Sequence, residues 1–176
     1  MKKIISTIAF FALLSCNCTK NTDLTKNSMP INTIESPCPE NGVCNIEIIK
    51  NKSLNVKSDE FGSTYYTLEE NPSTSVIKYQ YNRNVTPDLQ DDNHKEEIIF
   101  EVANNETSMN LVDNDLQKSK LLFGRICFCR GQTGYYKITN GTLKLDKGKK
   151  DLYQLNLNFK VSQVPQLFTS VIATIN

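Results

Sequence analysis

Apolar and polar side chains alternate along several stretches of the chain. Residues 75–83, 97–102 and 155–161 each place an apolar side chain at every second position. A period of two is typical of strands that bury one face, because successive side chains of a strand point to opposite sides of the sheet. No stretch of residues 37–176 has a sustained helical period, so the pattern predicts an all-β domain.

Turn signals divide this domain into about nine to eleven short strands. Residues 51–53 and the Asn71-Pro72 dipeptide are predicted to interrupt the pattern, and residues 113–119 to form one helical turn. Many short strands at a spacing of roughly eight to twelve residues indicate an antiparallel β-sandwich or an up-and-down β-barrel. The connections vary in length, which favours the sandwich.

The stretch from Leu121 to Leu145 combines an apolar strand, two cysteines one residue apart, a glycine-containing turn and a second strand. It is the best hairpin signal in the chain. Alternation puts Phe123 and Arg125 on the same face as the cysteines, opposite a face that we expect to be core. The hairpin offers a candidate surface for a glycan or a peptide, made of Phe123, Arg125, Arg130, Tyr135 and Tyr136. The simpler alternative is that residues 36–44 lie across this face.

Charge narrows the possible partners. The chain has 20 Lys and Arg residues against 19 Asp and Glu residues, interspersed along the sequence. A nucleic-acid-binding protein needs a basic surface that displaces counterions, so we expect no nucleic-acid partner.

The amino terminus has the features of an export signal. Lys2 and Lys3 precede an apolar run that is too short to span a bilayer, and the run ends in Leu13, Leu14, Ser15 and Cys16. This ending resembles the lipobox of bacterial lipoproteins. The resemblance implies cleavage before Cys16, attachment of lipid to its side chain and acylation of its new amino group, which would anchor the protein to a membrane of the cell envelope.

The resemblance also implies a domain organisation. Residues 1–15 would be the signal peptide, residues 16–36 an acylated, flexible tether without periodicity, and residues 37–176 one β-rich domain. Asn17 is not the acidic residue that some bacteria use to retain lipoproteins in the inner membrane, so the outer membrane is favoured.

Four further cysteines, Cys38, Cys44, Cys127 and Cys129, are disulfide candidates because exported proteins occupy oxidising compartments. Residues two apart on a strand have Cα atoms roughly 6.5 to 7 Å apart with parallel side chains, which is unfavourable for a mutual bond. We therefore expect each cysteine of the first pair to bond to one of the second. Pairing within each pair is the alternative, and it would require a bend at Cys127 and Cys129.

Candidate chemistry is sparse. His94 is the only histidine, and its polar surroundings predict a solvated side chain. We expect no metal and no cofactor.

A non-enzymatic binding or envelope-structural role, with a protein or glycan partner, is the first functional hypothesis. A thiol–disulfide active protein using Cys127 and Cys129 is the second, because Arg125 and Arg130 would lower the thiol pKa values. An exported hydrolase is the third and weakest functional hypothesis.

Overall fold

The computed structural model describes residues 32–85 and 91–176 and shows an all-β fold. This part of the chain contains ten strands and two short 3-10 helices, Asp113–Ser119 and Lys149–Asp151. The predicted fold class is confirmed, and so is the helical turn at residues 113–119. The strands are β1 (Thr33–Ile34), β2 (Gly42–Ser58), β3 (Thr64–Arg83), β4 (His94–Ala103), β5 (Ser108–Val112), β6 (Leu122–Cys127), β7 (Gly134–Lys137), β8 (Gly141–Lys147), β9 (Tyr153–Phe159) and β10 (Ser170–Ile175).

The strands form two five-stranded antiparallel sheets. The first has the order β1-β10-β9-β8-β5, and the second has the order β2-β3-β4-β6-β7. The predicted hairpin is therefore β6 and β7, and the chain crosses to the first sheet before β8. Gly141 begins β8 with φ +142°, and a Cβ there would lie 2.1 Å from the Asn158 carbonyl oxygen, so only glycine fits this crossing.

One apolar core joins the two sheets. Leu143, Leu155 and Leu157 of the first sheet belong to the same buried cluster as Ile98 and Phe100 of the second. Leu155, Leu157, Ile98 and Phe100 are apolar positions of the alternating stretches, and burial of the same face of each strand explains the period of two. This packing makes the domain a β-sandwich.

The longest strands, β2 and β3, were predicted as four shorter ones. They pair continuously on either side of one irregularity, where the register shifts between Lys50 and Lys52 and Asn51 adopts φ +58°. The predicted breaks are thus a bulge and not turns. Bulges accept proline inside a sheet, which accounts for Pro72 within β3.

On the far side of this bulge, the β6–β7 hairpin closes part of the second sheet into a small barrel. Thr64 at the start of β3 pairs with Tyr135 of β7, which completes a ring of β3, β4, β6 and β7. A second apolar cluster contains Leu54, Val76, Ile99 and Leu122. Strands β4 and β6 are therefore buried on both faces, the sandwich core covering one and the barrel core the other.

The barrel also encloses a carboxylate. Glu97 is 1% exposed, and its Oε1 accepts hydrogen bonds from the hydroxyls of Tyr135 and Tyr66 at 2.7 and 3.1 Å. Burial by itself raises the pKa of Glu97, but hydrogen bonds from Gln80, Tyr135 and Lys95 outweigh burial and hold the pKa below its usual range. Burial, with the Glu97 charge, raises the pKa of Tyr66 to about 12. This cluster satisfies its own hydrogen bonds and holds the barrel together.

The folded part of the chain begins earlier than predicted. Thr33 and Ile34 pair with β10, Asn32 Nδ2 donates to the Ile46 carbonyl oxygen at 2.8 Å, and Ser36 is buried. Residues 32–36 therefore belong to the domain and not to the tether. The remainder of the predicted tether, the signal peptide and Cys16 lie outside the described residues. In residues 32–85 and 91–176, no helix has the length and apolar character needed to cross a membrane.

Candidate functional site

The candidate functional site lies where β4 begins and β6 ends. In the antiparallel register of these strands, His94 is opposite Cys127 and Glu96 is opposite Arg125. Positions on one face of a strand are two residues apart, so His94 and Glu96 share the sandwich face of β4 with Ile98. The site is thus built on two paired strands of the second sheet.

A buried carboxylate organises the polar groups of this site. Glu96 is fully buried, and its Oε1 accepts a hydrogen bond from Nη1 of Arg125 at 2.7 Å. The backbone N–H of Leu167 donates to Oε2 at 2.8 Å, and His94 Nε2 lies 3.1 Å from Oε1. A buried charge is costly unless it is paired and hydrogen-bonded, and Glu96 is both.

Arg125 connects this carboxylate to a cysteine. Arg125 is 8% exposed, and its Nη1 also donates a hydrogen bond to the Pro165 carbonyl oxygen at 3.1 Å. Nη2 lies 3.8 Å from Sγ of Cys129. Among the described residues, Nε of Arg125 is buried without a hydrogen-bond partner. The guanidinium therefore places a fixed positive charge beside the Cys129 sulfur.

The disulfides join neighbours, contrary to the cross-linked arrangement that the sequence favoured. Cys38 bonds to Cys44, and Cys127 bonds to Cys129. The bend required for the second bond is present, because β6 ends at Cys127 and the Cα atoms of Cys127 and Cys129 are 5.2 Å apart. Neither bond ties distant parts of the chain together.

The first disulfide closes a loop beside β3 and does not lie across β6. The Tyr81 hydroxyl donates to the Glu40 carbonyl oxygen at 3.1 Å, and the Asn84 N–H donates to the Asn41 carbonyl oxygen at 2.8 Å. The Tyr79 hydroxyl lies 3.0 Å from the Cys44 sulfur, and burial raises the pKa of Tyr79 to about 12. These contacts hold the segment against β3 and the residue that follows it.

The second disulfide sits in a surface turn. The N–H of Gln132 donates to the Cys129 carbonyl oxygen at 3.0 Å, and Gly131 adopts φ +70° between them, a conformation that favours glycine. Cys127 and Cys129 are partly exposed, and Phe128 between them is 82% exposed. A shallow depression of about 430 Å³ runs along residues 127–131 and Thr133. Solvent and partner molecules can therefore reach the disulfide.

The five residues of the predicted binding surface do not form one surface. Phe123 is fully buried, Arg125 is held by Glu96, and the Tyr135 hydroxyl is bonded to Glu97. Arg130 is exposed and Tyr136 is half-buried. Tyr135 and Tyr136 do line a groove of about 640 Å³ between the β2–β3 turn and the β6–β7 turn.

The prediction of a solvated His94 is wrong. The residue is 7% exposed, and its ring makes an edge contact with Tyr81 at a centroid distance of 6.5 Å. The alternation of β4 contained the signal, since His94 and Glu96 continue the buried series of Ile98 and Phe100 toward the amino terminus. Because His94 and Glu96 are polar, they are not recognisable in the sequence as part of the apolar alternation.

Comparison of the chain with protein-family models, with curated proteins and with solved structures finds no match.

Proposed function

We propose that this protein is an exported, lipid-anchored envelope protein whose β-domain presents Cys127 and Cys129 as a thiol–disulfide active pair. The observation that carries the proposal is the bond between Cys127 and Cys129 at a partly exposed turn, beside the Arg125 guanidinium. The sequence favoured a structural role for the cysteines, because Cys38 and Cys44 were expected to bond to Cys127 and Cys129. Local pairing removes that reason.

A disulfide between residues two apart contributes little to folding. In the chain-entropy model the stabilisation grows with the length of the loop that the bond closes, and this loop spans a sequence separation of only 2. The polar contacts of Glu96 and Arg125 and the apolar core hold this end of the sheet without it. Reduction of the bond would therefore leave the domain folded.

The surroundings favour attack on one particular sulfur. An incoming thiolate that bonds to Cys127 Sγ breaks the disulfide, and the electron pair goes to Cys129 Sγ. Arg125 Nη2, 3.8 Å from that sulfur, stabilises the resulting thiolate, and a stabilised thiolate leaves faster. Exposed Phe128 adds an apolar contact for a protein that carries the attacking thiol.

The membrane-anchored part of the proposal is supported by Leu13, Leu14, Ser15 and Cys16. A secreted location also agrees with two disulfides in the folded domain, since disulfides persist in oxidising compartments. The outer membrane of a bacterial envelope remains the favoured location.

Dithiothreitol is expected to reduce Cys127–Cys129 in the native protein at least about tenfold faster than Cys38–Cys44, which is also a local disulfide but whose Cys44 sulfur lies 3.0 Å from the Tyr79 hydroxyl and not beside a guanidinium. Timed alkylation followed by peptide mass spectrometry measures both rates in one sample. In a separate sample without dithiothreitol, a Cys129→Ser variant mixed with a small-molecule disulfide should form a stable mixed disulfide at Cys127: the Cys127 thiolate attacks one sulfur of that disulfide, the other sulfur leaves as a thiolate, and no second cysteine resolves the product. If the Cys127–Cys129 bond resists reduction until denaturant is added, the redox role is wrong.

A Cys16→Ser variant is expected to lose labelled fatty acid and to leave the membrane fraction, because a single cysteine carries the proposed anchor. Metabolic labelling with palmitate and fractionation of the cells measure both properties. Cys18→Ser is the matched control and should behave like the unchanged protein. Continued labelling of the Cys16→Ser variant would contradict the lipoprotein assignment.

The second candidate is a non-enzymatic binding or envelope-structural role. The groove lined by Tyr135, Tyr136 and Gln163 favours it, because aromatic and amide side chains suit a glycan or a peptide. The reduction experiment separates the two candidates. Two disulfides that both resist reduction in the native protein would leave this binding role as the better proposal.

A further inference from the structure

Three side chains that can bind a metal converge at the proposed redox pair. The potential ligand atoms of His94, Cys127 and Cys129 all lie within 4.8 Å of one another. Cross-strand pairing brings His94 opposite Cys127, and the bend after β6 returns Cys129 to the same place. In the oxidised protein the two sulfurs are bonded to each other, so only the imidazole is available.

We propose that, after reduction, Cys127, Cys129 and His94 bind one thiophilic d¹⁰ cation, Zn²⁺ or Cu⁺. This inference rests on the proposed function to the extent that the disulfide must be reducible in the folded protein. Thiolate and imidazole are preferred ligands of both ions. Three protein ligands occupy a trigonal Cu⁺ site fully, and they leave one open position on tetrahedral Zn²⁺.

The step balances in electrons and protons. A dithiol reductant supplies two electrons and two protons, becomes a disulfide itself, and converts the Cys127–Cys129 bond into two thiols. The cation then displaces the thiol protons to water, because only the thiolates are ligands. In the reverse direction the disulfide form of that reductant accepts two electrons from the two thiolates and, with two protons from water, returns to the dithiol, so that the Cys127–Cys129 bond re-forms and the cation is released.

Glu96 gives His94 the environment of a metal ligand. Its Oε1 lies 3.1 Å from His94 Nε2. In the tautomer that carries the proton on Nε2, the Nε2–H donates a hydrogen bond to the carboxylate, and Nδ1 then has the lone pair that would bind a cation. Metal-binding histidines generally donate their second ring N–H to a carboxylate or carbonyl, which fixes the ring and raises its basicity. Arg125 and the Leu167 N–H hold Glu96 itself in position.

The position of the cluster also suits exchange of the cation. His94 and Glu96 are buried, whereas Cys127 and Cys129 are partly exposed along the shallow depression. A cation would therefore enter past Cys127 and Cys129, and on the buried side of the site Glu96 would hold the His94 ring in place.

The test uses the full chain in detergent with Cys18, Cys38 and Cys44 replaced by serine, so that no other unmodified thiol competes. After reduction and removal of the reductant, Zn²⁺ and Cu⁺ are titrated separately, and Co²⁺ is added to detect thiolate ligation by its charge-transfer absorption. We expect one ion per chain, no binding to the oxidised protein, and a tenfold or greater loss of affinity in His94→Asn and in Glu96→Gln. Circular dichroism checks that each variant is folded.

Absence of binding by the reduced protein would overturn the inference, and so would binding that is unchanged in Cys127→Ser. Cys127→Ser changes a partly exposed side chain, so it tests the site even if substitution of buried His94 unfolds the domain. Thiol counting in the same samples separates the two proposals. Thiols that appear without metal binding refute the metal site alone, whereas a disulfide that resists reduction refutes the redox function and the metal site together.

Discussion

Replacing Phe123 by alanine is expected to lower the free energy of unfolding by about 3–5 kcal/mol, because it deletes a fully buried ring from the centre of the sandwich. The ring packs against Phe159 and Phe168 at centroid distances of 5.8 and 6.3 Å. Truncation removes those contacts and leaves a cavity that the surrounding side chains fill only in part. Urea denaturation at neutral pH measures the change.

Phe128 is the matched control for this substitution. It is an aromatic residue five positions further along the same hairpin, but it is 82% exposed. Phe128→Ala should change the free energy of unfolding by no more than about 0.5 kcal/mol, because little apolar surface is buried there. Equal effects of the two substitutions would contradict the assignment of Phe123 to the core.

An Arg125→Met substitution is expected to cost about 3–5 kcal/mol, since it leaves the Glu96 carboxylate buried without its cation. The methionine side chain fills much of the same volume, so the loss reports chiefly on the unpaired charge. His94 and the Leu167 N–H remain as partners but supply no permanent positive charge. Thermal and urea unfolding, followed by circular dichroism, measure the loss.

Lys118→Met provides the comparison, because Lys118 pairs with Asp115 at 3.0 Å with both side chains more than half exposed. That pair should contribute at most about 1 kcal/mol. A second comparison adds Glu96→Gln to Arg125→Met, which removes the buried charge and should recover part of the stability. A loss below 1 kcal/mol for Arg125→Met would show that the buried pair does not stabilise this end of the sheet.

The strands were predictable because their signal is local. In β9, Leu155, Leu157 and Phe159 are buried and the residues between them are exposed, as the alternation indicated. The bulge at Asn51 was not predictable in this way. A turn and a bulge use the same residue types, and only the pairing of Lys50 with Ser75 and Lys52 with Glu70 distinguishes them.

The candidate site was only half visible in the sequence. The pattern drew attention to Cys127 and Cys129, and their spacing and neighbouring arginines suggested thiol chemistry. The pattern did not assign His94 and Glu96 to the site, because both are polar and both lie about thirty residues before the cysteines in the chain. Only the register of β4 against β6 places them beside the cysteines.

The sequence by itself determined the all-β fold class, the apolar faces of the strands and the resemblance of the amino terminus to a lipobox, because each depends on residues close together in the chain. The tertiary structure decided the disulfide partners, the closure of the barrel and the burial of Glu96, Glu97 and His94. Those features depend on which strands become neighbours, and that choice comes from packing two sheets around shared cores.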